Sequence, residues 1–228
     1  MNNSPDMIEV ASLIGEPSRI AILLSLLGGK SLPASELARA ARITPQTASA
    51  HLSKLVEGGL LVHESYGRHR YYRLARAEVA QALEALSVIA RPKPIRSLRE
   101  SDQVKAMRYA RTCYDHLAGE IGVALTDRML ELRMLEESGK DFLLTDVGKN
   151  KLLELGVDIE PVAKSRRSFA RQCLDWSERR HHLAGILGAA VTKRLFELGW
   201  IERFQDNRAV RVTKTGIKGF ADEFGLQL

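Results

Sequence analysis

Residues 43–61, ITPQTASAHLSKLVEGGLL, are punctuated at both ends in a way that leaves one structure open to them. Thr44 is a good helix N-cap, and Pro45 sits at the first helical position, where its missing N–H costs nothing. Gly58 and Gly59 supply a left-handed stop. The spacing therefore predicts a helix from about Pro45 to Glu57. On a helical wheel Ala48, Leu52, Leu55 and Val56 share one side, and Gln46, Thr47, Ala50, Ser53 and Lys54 the other. The first side anchors the helix to a core. The second is short and hydrogen-bonding near its N-terminus rather than long and charged, so the backbone can approach another surface closely. The major groove of DNA, about 12 Å wide, is such a surface.

The flanking segments extend this reading. Upstream, SELARAARI places Leu37, Ala38, Ala41 and Ile43 on a second short amphipathic helix, separated from Thr44 by a tight turn, which makes a helix-turn-helix. Downstream, GLLVHESYGRHRYYRLA has apolar runs on either side of a polar tip at Gly67, with Tyr71 and Tyr72 on the return leg. This predicts a β-hairpin carrying Arg68, His69 and Arg70 at its tip, while Tyr72 and Leu74 face inward. A basic hairpin after a recognition helix is a wing, suited to phosphate or the minor groove.

From about Ile8 to Ala90 the chain resembles the ArsR/SmtB family of winged-helix transcriptional regulators. The matching stretches are IGEPSRIAILLSLL, SELARAARITPQTASAHLSKLVEGGLL and GRHRYYRL. Lys54 reads as a phosphate contact or part of a solvated face, and Arg68, His69 and Arg70 as the contacts of the wing, while the resemblance implies that Gln46, Thr47, Ser49 and His51 approach DNA. It also implies a homodimer formed by helices at both ends of the domain, one starting near Ser4 and Pro5 and the other RAEVAQALEALSVIA. Ala50 stands where relatives often carry Arg, so base readout rests on fewer contacts. His51 has an alternative role in a structural hydrogen bond to a neighbouring helix, and Ser49 in packing.

The chain has 228 residues, which suggests two domains, and 45% hydrophobic residues permit real cores. A formal net charge of +6 fits a nucleic-acid partner without requiring one. No apolar run reaches the length of a membrane span, and MNNSPDMIEV lacks the pattern of a signal peptide. The expected location is the cytoplasm, where the two cysteines, Cys113 and Cys173, are reduced thiols unless they are sensors.

RPKPIRSLRESDQ, with Pro92 and Pro94, reads as a stiff linker. Beyond it, ARTCYDH and LAGEIGVALTDRMLE align with ARQCLDW and HLAGILGAAVTKRLFE, the second copy having six extra residues. LLTDVGKNKLLELG likewise aligns with VRVTKTGIKGFADEFG. The organisation expected is residues 1–92 as a winged-helix DNA-binding and dimerisation domain, 93–106 as linker, and 107–228 as a duplicated regulatory domain with repeats at about 107–156 and 169–225. The fold class is mainly α with small β-hairpin wings. Each repeat reads as helix, helix, short strand pair, then a helix started by Thr145 or Thr213. Gly119, Gly122, Gly185 and Gly188 within helical patterns point to close packing or to room for a ligand.

The metal sensors of the family hold their ions on cysteines before the recognition helix or on Asp and His in the last helix of the winged domain. SELARAARI has neither Cys nor His, and RAEVAQALEALSVIARP has no His. The remaining candidates are Cys113 with His116, three apart and so on one helix face, and Cys173 with His181 or His182. Together Cys113, His116, Cys173 and His182 could hold a soft metal or a trivalent arsenical, or the cysteines could form a redox pair. Buried structural thiols and a small organic ligand pocket stand as alternatives. Asp115 and Asp175 read as ion-paired structural groups.

The function that follows is a sequence-specific, dimeric DNA-binding regulator, a repressor released by a small-molecule or thiol-reactive inducer, with double-stranded operator DNA as its partner and no membrane. An adaptor whose C-terminal half recruits a protein is the alternative. Against an enzyme, the sequence has no phosphate-cradling loop after a strand, no His-Glu zinc helix and no Ser or Cys with a convincing base.

Overall fold

Asp6 accepts hydrogen bonds from the backbone N–H groups of Ile8 and Glu9 and so starts α1 (Met7–Ile14). Ser4 and Pro5, where the sequence placed this start, lie outside the described residues. The computed structural model describes residues 6–67, 69–92, 94–95, 97–159, 168–204 and 207–228. They divide into two compact units, one ending at Leu83 and one beginning at Glu84.

In the first unit α1 is followed by α2 (Pro17–Ser25), β1 (Leu32–Pro33), α3 (Ala34–Ala41) and α4 (Pro45–Glu57). Arg42, at φ +56°, closes α3 in the left-handed conformation, and three residues separate α3 from α4. Thr44 caps α4 as expected, its hydroxyl accepting from Thr47 N–H at 3.2 Å. The left-handed stop falls on Gly59 alone, at φ +68°. Gly58 is there for packing, since a Cβ on it would lie 2.2 Å from Leu13 Cδ1. The wing is β2 (Leu61–Tyr66) and β3 (His69–Leu74), paired from Leu61↔Leu74 to Tyr66↔His69, with β1 on the outer edge of β3. Leu23, Leu37, Leu52, Leu55, Tyr72 and Leu74 are buried in the core. α5 (Ala77–Ile89) runs from the first unit into the second.

The second unit departs from the expected pattern in two places. Residues 98–106, expected as linker, belong to α6 (Leu98–Tyr109). Ser97 caps this helix by accepting from Glu100 N–H, an Ser-x-x-Glu start that the prolines before it obscured. The stretch expected as the first helix of each repeat is instead a β-hairpin: β4 (Arg111–Cys113) with β5 (His116–Ala118), and β8 (Arg171–Leu174) with β9 (His181–Ala184). The physical reason is that an i,i+3 spacing describes one helix face and equally the two residues that flank a two-residue hairpin turn. Cys113 and His116 are cross-strand partners around Tyr114 and Asp115, and do not share a helix face.

Each hairpin leads into a helix, α7 (Glu120–Glu131) or α9 (Gly185–Glu197), then a second hairpin and a last helix. These are β6 (Leu135–Ser138), β7 (Asp141–Leu144) and α8 (Asp146–Glu154) in the first half, and β10 (Ile201–Arg203), β11 (Val210–Val212) and α10 (Lys214–Phe224) in the second. Thr145 and Thr213 cap α8 and α10 as expected.

The halves exchange contacts. β8 pairs with β7 to complete the antiparallel sheet β6-β7-β8-β9, whereas Thr112 N–H donates to Arg208 O and Val210 N–H to Ala110 O. Thr192 Oγ1 accepts from Leu117 N–H and Thr126 Oγ1 from Leu183 N–H, at 2.8 and 2.9 Å. One buried cluster, including Leu117, Met129, Phe142, Leu183, Leu195, Trp200 and Phe220, spans both halves. The glycines of α7 and α9 mark close packing: a Cβ on Gly122 or Gly188 would lie 2.6 or 2.5 Å from the carbonyl oxygen of Leu117 or Leu183. Among the described residues no helix is long and apolar enough to cross a membrane.

Candidate functional site

Two sites emerge, one in each unit. In the first, the buried side of α4 holds Ala48, Leu52 and Leu55 against the core and leaves Gln46, Thr47, Ser49 and Lys54 exposed. The Thr47 hydroxyl lies 2.9 Å from that of Thr44, which orients it at the N-terminal end of the helix. His51 is placed differently. It is half-buried with Nε2 3.7 Å from a carboxylate oxygen of Glu16, the N-cap residue of α2, which favours the structural role over a DNA contact. In the wing His69 and Arg70 are exposed, and Arg68 lies outside the described residues. Glu64 holds Arg73 and Tyr66 on the same ribbon, so the wing is not uniformly basic.

The second site is built by the hairpins β4–β5 and β8–β9. Register places Cys113 opposite His116 and Cys173 opposite His182, with all four side chains turned to one interior point. Strand alternation decides between the two candidate histidines: His181 is exposed and His182 is 1% exposed. One donor atom from each of Cys113, His116, Cys173 and His182 lies within 4.8 Å of every other. The two sulfurs are 3.9 Å apart and the imidazole rings 5.1 Å between centroids.

A carboxylate stands beside each imidazole. His116 Nδ1 lies 3.2 Å from an Asp115 carboxylate oxygen, and His182 Nδ1 3.7 Å from an Asp175 oxygen. That leaves each Nε2 directed away from its carboxylate. His116 Nε2 and both ring nitrogens of His182 are buried without a hydrogen-bond partner. The hydrogen shared with Cys173, reinforced by burial, pushes the Cys113 thiol up to about 12. Burial works to lower both imidazoles. It prevails at His182, while the neighbouring Cys113 sulfur and Asp115 outweigh it at His116, which is raised.

Sequence reasoning missed the group that holds this site in place. Arg111 is fully buried, donates to Asp175 at 2.7 Å and to Met107 O at 3.1 Å, and lies over the Trp176 ring at 4.5 Å. Asp175 also accepts from Gly119 N–H, Ser177 N–H, the Ser177 hydroxyl and Glu178 N–H. Against burial, which would raise it, Arg111 and these donors hold the Asp175 carboxyl well below the usual carboxylate range. The extra residues of the second copy supply Trp176 and Ser177. Arg111 itself aligned with an exposed Arg171, so nothing in the sequence marked it as buried.

A family model described as a helix-turn-helix domain matches residues 14–64. An HTH-type transcriptional regulator of Bacillus subtilis (strain 168), YdfF, is 45% identical over 225 residues, covering 99% of this chain and 100% of its own. Several solved structures are similar to part of the chain. NolR from Sinorhizobium fredii is 29% identical over 36% of this chain and 81% of its own, with a TM-score of 0.34. The transcriptional repressor BigR from Xylella fastidiosa is 25% identical over 39% of this chain and 89% of its own, at 0.36. The cadmium metal-sensor CMTR from Mycobacterium tuberculosis is 31% identical over 41% of this chain and 100% of its own, at 0.32. The chain belongs to the HTH-type transcriptional regulators, not to an enzyme family, and its first unit has the winged helix that the sequence predicts.

Proposed function

We propose that this regulator is a homodimeric repressor that binds a double-stranded operator through α4 and the wing and is released by a signal received in the second unit. The exposed, short-chained face of α4 carries the reading: Gln46, Thr47 and Ser49 occupy its first turns, where a recognition helix meets base edges, with Lys54 placed for phosphate. A dimer is supported by apolar surface on the helices at either end of the winged domain. α1 buries none of its residues and exposes Met7 and Ile8, and α5 exposes Leu86 and Ile89. Repression is the simplest consequence of a dimer occupying an operator.

A route for the signal lies in the last turns of α5. Arg208 is paired with buried Glu84 and donates to Thr112 O, next to Cys113, while Arg179, in the turn between Cys173 and His182, donates to Val88 O at 2.8 Å. The recurring order of hairpin, helix, hairpin and helix, with its reciprocal hydrogen bonds, supports a tandem duplication as the origin of this unit.

The test is binding to the protein's own upstream DNA. Gln46→Ala with Thr47→Ala should remove sequence preference, at about 1–3 kcal/mol per lost base contact. Arg68→Ala with Arg70→Ala should weaken all DNA alike and reduce the salt slope by roughly 2. Parent-like binding by both variants would refute the assignment of helix and wing.

A further inference from the structure

Each half of the second unit brings the same three groups to one point: a cysteine, an aspartate two residues on, and a histidine opposite the cysteine across the hairpin. We propose that Cys113, His116, Cys173 and His182 bind one zinc-type divalent ion as a closed tetrahedral Cys2His2 centre that joins the two hairpins.

The distances fit such an ion. Sulfurs held tetrahedrally at about 2.3 Å from a metal lie roughly 3.8 Å apart, and here they are 3.9 Å apart. The same separation is nearly twice a disulfide bond, roughly 2.0 Å. A disulfide would in any case leave the buried His116 Nε2 and His182 Nε2 without partners. A purely structural role for the thiols meets the same objection, because it accounts for two small sulfurs, that of Cys113 buried, and not for two imidazoles, 6% and 1% exposed, turned onto them. The carboxylates complete the pattern of a metal-bound histidine. Asp115 hydrogen-bonds Nδ1 of His116, which turns its Nε2 away from the carboxylate, and an Asp175 oxygen lies 3.7 Å from Nδ1 of His182.

The charge also balances. Binding releases the two thiol protons to solvent, and a divalent cation with two thiolates and two neutral imidazoles is a neutral centre, which burial tolerates. Two sulfurs with two nitrogens select a borderline ion of the zinc type over the softer cations and arsenicals that all-sulfur sites prefer. Four protein ligands leave no open position, so the centre ties the halves together and does no chemistry on a substrate.

The test uses the full-length protein, reduced and stripped with a chelator, titrated first with Co2+ and then with Zn2+. The expected result is one Co2+ per chain, with the intense visible bands of tetrahedral cobalt and a thiolate-to-cobalt charge-transfer band, both removed by one equivalent of Zn2+. The Cys113→Ser/Cys173→Ser variant should show neither band. Because that variant could fail to fold, alkylation of Cys173, the partly exposed thiol, is followed in the parent protein, and Zn2+ should slow it about tenfold or more. A weak, octahedral, sulfur-free cobalt spectrum, or alkylation at the same rate with and without Zn2+, would overturn the proposal. All of this is read without DNA. Loss of metal binding and loss of operator control are therefore separate results, and the centre stands or falls independently of the repressor reading.

Discussion

Neutralising Asp175 should destabilise the second unit more than removing its buried partner Arg111. Asp175→Asn keeps the shape and one acceptor oxygen but removes the carboxylate charge, which leaves the buried Arg111 guanidinium with neutral acceptors only, among them Met107 O and the Ser177 hydroxyl. Stranding a buried charge in this way costs about 3–5 kcal/mol. Arg111→Met is gentler, because the Asp175 carboxylate keeps Gly119 N–H, Ser177 N–H, the Ser177 hydroxyl and Glu178 N–H. It loses one charge-assisted hydrogen bond, partly offset by the desolvation no longer required, for a net of about 1–2 kcal/mol. The double variant should cost no more than Asp175→Asn alone, a coupling of about 1–2 kcal/mol. The assay is urea unfolding by intrinsic fluorescence in the presence of chelator. The chain's two tryptophans, Trp176 and Trp200, are both in the second unit, so the signal reports that unit and not the winged helix. Additive losses, or an Asp175→Asn cost below about 1 kcal/mol, would show that the pair is not the anchor described.

Thr126→Val and Thr192→Val should each cost about 1–3 kcal/mol in the same assay, since each strands the buried N–H of Leu183 or Leu117, and the two losses should be similar because the contacts are reciprocal. Gly119→Ala should cost well over about 2 kcal/mol, because it combines φ +81° with a Cβ 2.6 Å from Arg108 O. Gly139→Ala, at φ +61° with nothing within 4 Å, isolates the backbone part at about 1 kcal/mol. In the winged helix, Thr44→Ala removes the α4 cap and should lower the thermal midpoint of that unit by the equivalent of about 1 kcal/mol, followed by circular dichroism.

The winged helix was legible because its information is local. Thr44, Pro45 and Gly59 set the ends of α4 through their own backbone chemistry, and the apolar runs on either side of the polar tip at Gly67 set the wing whatever else the chain contains. In the second unit the similar segments were legible and their local structure was misread, and the misreading has a definite source. In β4 and β5 each strand has three residues, too few for alternation to register, and the turn of Tyr114 and Asp115 leaves Cys113 and His116 at the spacing of a helix face. Residues that do lie together were therefore singled out for a geometric reason that does not hold. Arg111 could not be read at all, because its burial depends on Trp176 and Asp175, which lie about sixty positions away and on the other hairpin.

The exchanged pairing explains why a four-donor cluster should form here and not as two separate pairs. β8 completes a sheet begun by β7, and Thr192 and Thr126 each satisfy a strand N–H of the opposite half. Neither hairpin is closed by its own sequence neighbours alone. Their facing sides bring Cys113 and His116 against Cys173 and His182. A cysteine opposite a histidine in one hairpin is a pair too small to hold an ion, but two such pairs facing each other are a set of four. Single substitutions on the inner faces of these hairpins therefore act on both hairpins and not on one, and the Asp175 clamp on Gly119 ties the N-terminal end of α7 to the turn that precedes β9.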